Sequence, residues 1–148
     1  MRYSRVEMYI HLIWATWDRA PLITGDMETR LYDVMQHHAS RMGARVIAIG
    51  GVEDHVHMLL RIPATLAVAD LVSRIKGGSS HFAAQVLGRD FKWQGGYAAY
   101  SISPSVLPRV REYVLNQKQR HHESDEFPDA VEAPNRTRQR PVSGVPAV

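Results

Sequence analysis

Residues 54–62, Asp54-His55-Val56-His57-Met58-Leu59-Leu60-Arg61-Ile62, restrict the possible folds more than any other stretch of the chain. On a β-strand, successive side chains point to opposite faces. Val56, Met58, Leu60 and Ile62 then share one face, which is wholly apolar and must seal a core. His55, His57, Leu59 and Arg61 share the other. Two imidazoles two residues apart on a rigid element can offer two nitrogens to one metal ion. Alone, such a pair also fits simple packing or surface exposure, so its meaning depends on what the rest of the chain supplies.

The flanking segments place this strand. Residues 8–17 are rich in aromatic and β-branched types and read as a first strand. Met27, Leu31, Val34, Met35, Ala39 and Met42 recur at helical spacing, and Gly43 stops that helix. Residues 45–52 make a second strand, and the tight Glu53-Asp54 turn makes a hairpin with the His-bearing strand. Pro63 ends the third strand. Residues 66–87 are helical in period, with an interruption expected at Lys76-Gly77-Gly78-Ser79-Ser80. Residues 91–103 read as strand material with a turn at Gly95-Gly96. Ser105 is expected to cap a last helix, with Pro108 tolerated in its first turn and the helix reaching about His121.

Strand, helix, strand, strand, helix, strand is the split βαβ, ferredoxin-like order of an α+β domain. It predicts an antiparallel four-stranded sheet with the first two helices on one face and an extra C-terminal helix. The His-bearing strand would be central, which gives a metal site rigidity.

Composition narrows the chemistry. The chain has 148 residues, enough for one domain, and no cysteine, so disulfides, thiolate metal sites and thiol nucleophiles are excluded. No apolar run approaches the roughly 20 residues of a membrane span and no signal peptide is recognised, so the cytoplasm is the expected compartment. Lys and Arg number 18 against 15 Asp and Glu. Residues 123–148 hold five of the acids and three of the bases, which leaves residues 1–122 with 15 bases against 10 acids. That balance suits a polyanionic partner without requiring one. Residues 123–148 also hold four of the eight prolines and lack periodicity, and read as a largely disordered tail after a domain of residues 1–122.

The last helix gives the histidine pair a use. Tyr113 and Gln117 are four residues apart and share a helical face, with Asn116 close to it. Two neutral imidazoles and an amide oxygen leave open positions on a hard cation such as Mg²⁺ or Mn²⁺, which can take a phosphate oxygen. A tyrosine nearby can then attack the phosphorus.

These residues resemble a known family: the single-tyrosine His-hydrophobic-His (HUH) transposases of IS200/IS605-like insertion sequences, including REP-associated tyrosine transposases. His11-Leu12-Ile13-Trp14-Ala15-Thr16 resembles the family's first strand, and Asp54-His55-Val56-His57 its core motif. Lys76-Gly77-Gly78-Ser79-Ser80, Trp93-Gln94-Gly95-Gly96-Tyr97 and Tyr113-Val114-Leu115-Asn116-Gln117, with His121-His122 beyond, follow in the family's order. Val52-Glu53 departs from the family's Met-Pro but lies in the turn. The resemblance implies Tyr113 as nucleophile and His55, His57 and Gln117 as metal ligands. It implies a homodimer that cleaves and rejoins single-stranded DNA beside a hairpin through a 5′-phosphotyrosine. A non-catalytic nucleic-acid-binding module and a metal-dependent hydrolase using water are the alternatives.

Lys76, Ser79, Ser80, Arg61, Asn116 and His121 are candidate DNA contacts, each with a plainer surface or packing reading. Tyr9, Tyr97 and Tyr100 read as core or sheet aromatics, Tyr32 as a helix packing residue, and Trp14 and Trp93 as core. His11 shares a strand face with Tyr9, Ile13 and Ala15 and could approach the His pair if the first and third strands are neighbours. Packing or DNA contact is the expected role for His11, rather than ligation.

Overall fold

The computed structural model describes residues 2–120. Four strands, β1 (Met8–Ala15), β2 (Arg45–Val52), β3 (His55–Ile62) and β4 (Ala98–Ile102), form one antiparallel sheet in the order β2-β3-β1-β4. That is the expected ferredoxin-like arrangement, and the His-bearing strand is internal to it.

The alternation of β3 sorts the core into two layers. Val56, Met58, Leu60 and Ile62 pack with Ile10, Leu12 and Trp14 of β1 against two helices, α1 (Gly25–Arg41) and α2 (Val68–His81). Met27, Leu31, Met35 and Ala39 form the buried face of α1, as their spacing predicts. On the opposite face, Leu59 and Ala48 pack under Tyr113 and Val114 of α3 (Leu107–Leu115). Gly50 of β2 permits this second layer, because a Cβ there would run into the backbone carbonyl of Val114. Without a side chain at Gly50, the tyrosine helix lies directly on the sheet, beside the residue paired with His57.

Four local expectations are corrected. The Lys76–Ser80 segment does not interrupt its helix; α2 runs through it and gives way only at a π-helical turn, Phe82–Val86. The His38 ring of α1 lies against α2 at Gly78, so the missing side chain there serves helix packing. The strand expected over 91–103 is confined to Ala98–Ile102, while Phe91 and Trp93 are buried in the preceding segment and Trp93 bridges to Thr16. At the last helix, Ser103 rather than Ser105 accepts the capping bond, within a short 3-10 turn. That helix also breaks at Asn116 (φ −101°, ψ 24°) before a short α4 (Gln117–Arg120). The expected tail, residues 123–148, lies outside the described residues, as does His121. Among the described residues, no helix is long and apolar enough to cross a membrane.

Candidate active site

The site forms where β1, β3 and α3 meet. Pairing of Ile13 with His57 puts His11 diagonally beside His57, since alternate residues of β1 share a face. His11 Nε2 and His57 Nδ1 are 2.8 Å apart, and the two rings stack with centroids 5.0 Å apart. The rings of His55 and His57 are 5.2 Å apart. Tyr113 meets His57 edge-on at 5.5 Å and His11 at 6.0 Å. His11, His55, His57, Tyr113 and Gln117 are all buried.

Burial sets the electrostatics. It lowers the pKa of His11 to about 4, so this ring is neutral at pH 7 and can accept or donate one hydrogen bond. His55 Nδ1 lies 2.7 Å from Asp54 Oδ1, and Arg19 Nε donates to Asp54 Oδ2 at 3.2 Å. Desolvation pushes the Asp54 carboxyl up, but the His55 hydrogen bond and the Arg19 charge outweigh it and hold the carboxyl below its ordinary range. Asp54 therefore stays ionised beside the imidazole.

Gln117 is reached across the helix break. Its Nε2 donates to the Tyr113 carbonyl at 2.8 Å, which ties the amide back to the tyrosine's own turn. Its Oε1 is buried and has no hydrogen-bond partner. An orphaned acceptor of this kind costs about 1–3 kcal/mol unless a ligand satisfies it. Among the described residues, no three His, Asp or Glu side chains group as a metal site. The residues that could hold a cation are the histidine pair, His55 and His57, and Gln117, whose Oε1 lacks a partner.

Most of the expected DNA contacts are elsewhere. Lys76 and Ser79 lie on α2, across the sheet from the histidines. Lys76 Nζ donates to the carbonyls of Gln94 (2.6 Å) and Gly96 (2.8 Å), anchoring the segment before β4. Ser79 is fully buried, with its Oγ donating to Ile75 O and accepting from Trp93 Nε1 at 2.9 Å. It is a core residue and not a phosphate contact. Ser80 Oγ bonds back to the Gly77 carbonyl. Arg61 donates to the Val6 carbonyl at 2.8 Å, four residues along β3 from His57 and so roughly 13 Å away. Asn116 is exposed at the helix break, turned away from the buried Tyr113 and Gln117.

Three residues beside the site carry little or no local sequence signal. His11 was legible only as a strand-face neighbour whose value depended on sheet order. Arg19 carried no sequence signal, because it reaches Asp54 from a turn where Asp18 (φ 54°) and Arg19 (φ 53°) are both left-handed without being glycine. Tyr100, expected to be a packed aromatic, is exposed, with its ring 6.4 Å from that of His11; Tyr97 is exposed too. Tyr32, Trp14 and Trp93 are buried as expected.

The family model for IS200-like transposases matches residues 4–117. The ISDra2 transposase TnpA of Deinococcus radiodurans is 27% identical over 118 residues, spanning 75% of this chain and 84% of that one. The transposase for insertion sequence element IS200 of Salmonella typhimurium is 22% identical over 125 residues, spanning 79% and 81%. A crystal structure assigned as a Deinococcus radiodurans transposase superposes with a TM-score of 0.61 at 25% identity, over 79% of this chain and 98% of that one. A REP-associated tyrosine transposase bound to a REP hairpin shares the fold, with a TM-score of 0.63 at 13% identity, over 82% of this chain and 74% of that one. With the family model matched from residue 4 to residue 117, the chain belongs to the IS200-like transposase family.

Proposed function

We propose that this protein cleaves and rejoins single-stranded DNA through Tyr113, with Mg²⁺ or Mn²⁺ held by His55, His57 and Gln117. One observation carries the reading: a phenol and three imidazoles converge on one buried patch of the sheet, and the glutamine tied to the tyrosine's own turn holds a buried, unsatisfied amide oxygen. A divalent cation bound there supplies Lewis-acid polarisation of the phosphate and favours ionisation of a nearby phenol. For His57 Nε2 to carry a lone pair, His57 Nδ1–H must donate to His11 Nε2, a role open to neutral His11.

Tyr113, having lost its proton, bonds to phosphorus through its phenolate oxygen. The P–O3′ bond breaks, and the 3′ oxygen leaves and takes up a proton. The 5′ phosphate stays on the tyrosine, which preserves the phosphoester for attack by another 3′-hydroxyl and release of Tyr113. A DNA hairpin beside the cleaved strand is the proposed partner, in line with the hairpin-bound relative of the same fold. The homodimer is proposed on family likeness, and sedimentation of the purified protein tests it.

The test of the chemistry is a denaturing gel of protein with labelled single-stranded DNA from the flanks of its own gene, with and without Mn²⁺. Wild type should give a metal-dependent, protease-sensitive covalent band that Tyr113→Phe and His55→Ala both lose. Cleavage surviving in Tyr113→Phe would instead identify water as the nucleophile. A gel shift without a covalent species would identify a binding module.

A further inference from the structure

We infer that Asp54, held by Arg19, is a positioning residue that fixes His55 as the Nδ1–H tautomer and so keeps the Nε2 lone pair for a metal. The inference rests on the metal reading above and deepens it. The chain of contacts is continuous: Arg19 Nε donates to Asp54 Oδ2 at 3.2 Å, and Asp54 Oδ1 faces His55 Nδ1 at 2.7 Å. His55 is 2% exposed, so water does not compete freely for its ring. An ionised carboxylate only accepts hydrogen bonds, so the nitrogen facing it must carry the proton.

The left-handed turn at Asp18-Arg19 is what brings the guanidinium to Asp54. Several bonds hold that turn in its unfavourable conformation. The Trp17 amide donates to the Lys92 carbonyl at 2.9 Å and the Asp18 amide to Gln94 Oε1 at 3.2 Å. Thr16 Oγ1 donates to the Ala20 carbonyl at 2.6 Å. The segment anchored by Lys76 thus braces the arginine that braces the aspartate. Removing the carboxylate should leave the turn intact, because the Asp54 carbonyl, and not its side chain, accepts from the Thr16 amide (2.8 Å) and hydroxyl (3.1 Å).

The geometry makes Asp54→Asn a sharp test. A guanidinium only donates, so the new amide turns its oxygen to Arg19 and its NH₂ to His55 Nδ1. That arrangement selects the Nε2–H tautomer, the wrong one for ligation, as an Asn does in place of a histidine-orienting Asp elsewhere. Arg19→Met removes the donor and lets the amide flip. Nitrogen-15 NMR of metal-free protein reads the tautomer, and an EPR titration reads Mn²⁺ binding. Expected are Nδ1–H in wild type, Nε2–H in Asp54→Asn, and return of Nδ1–H in Asp54→Asn/Arg19→Met. The Mn²⁺ dissociation constant should rise roughly 10- to 100-fold in Asp54→Asn and recover in the double variant. An Nε2–H form in wild type, or Nδ1–H retained in Asp54→Asn, would overturn the inference. The expected tautomer series in a wild type that fails to bind Mn²⁺ would support the positioning pair and overturn the metal reading.

Discussion

Gly50→Ala should detach the tyrosine helix from the sheet. A methyl carbon at position 50 would sit about 1 Å inside the 3.0 Å that real Cβ contacts keep, and the atom it meets is the Val114 carbonyl oxygen. A backbone atom cannot swing aside as a side-chain tip can, so α3 must retreat by about that 1 Å. Overpacking of this kind costs about 1–3 kcal/mol. With a urea m-value of about 1–3 kcal/mol/M, the unfolding midpoint should fall by about 1 M. Gln117, the proposed third ligand, directly follows α3 in the chain and shifts with it. Mn²⁺ affinity should therefore fall roughly tenfold or more, as it does when a site's supporting contacts are lost. Urea unfolding followed by circular dichroism and an EPR titration read the two effects. A Gly50→Ala protein with wild-type midpoint and wild-type Mn²⁺ affinity would refute the close approach as the element that sets the site.

Three further outcomes follow from the same contacts. Tyr100→Phe should keep the covalent DNA adduct while Tyr113→Phe loses it, although both rings lie within 6.4 Å of His11; loss of the adduct in Tyr100→Phe alone would move the nucleophile. Gly77→Ala, on an exposed position of α2 with nothing near the added carbon, should stabilise the fold by about 1 kcal/mol, read as a higher urea midpoint, and a lower midpoint would contradict the continuous helix. His38 is held below the ordinary imidazole range, first by burial and then by His37, Arg74 and Arg41. The unfolded chain therefore binds that proton more readily, so the stability His38 contributes is full above its ordinary value of 6.5 and is lost as pH falls through the lower folded value. Urea midpoints between pH 8 and 5 should fall less in His38→Gln than in wild type; equal falls would contradict the shift.

Much of this was legible in the sequence because period two on a strand is a strong constraint. Val56, Met58, Leu60 and Ile62 could face only a core, which fixed where His55 and His57 pointed. The order of elements then fixed β3 as an internal strand. Long-range geometry was not legible. His11 gained its role from the β1–β3 register, which no local pattern encodes. Gly77 and Gly78 read as a break because glycine lowers helix propensity, but packing of α1 on α2 overrides that preference. Ser79 looked available to phosphate, yet its hydroxyl serves the Trp93 indole inside the core. The turn that carries Arg19 uses left-handed residues that are not glycine, so composition gave no sign of it.

Mass spectrometry of the protein–DNA adduct tests the role of Tyr113 most directly. The protein is incubated with flanking single-stranded DNA and Mn²⁺, digested with nuclease and protease, and the modified peptide is sequenced. A 5′-phosphonucleotide on Tyr113, absent when EDTA replaces Mn²⁺, is the predicted result. An adduct on any other residue, or DNA cleaved with no adduct at all, would contradict it.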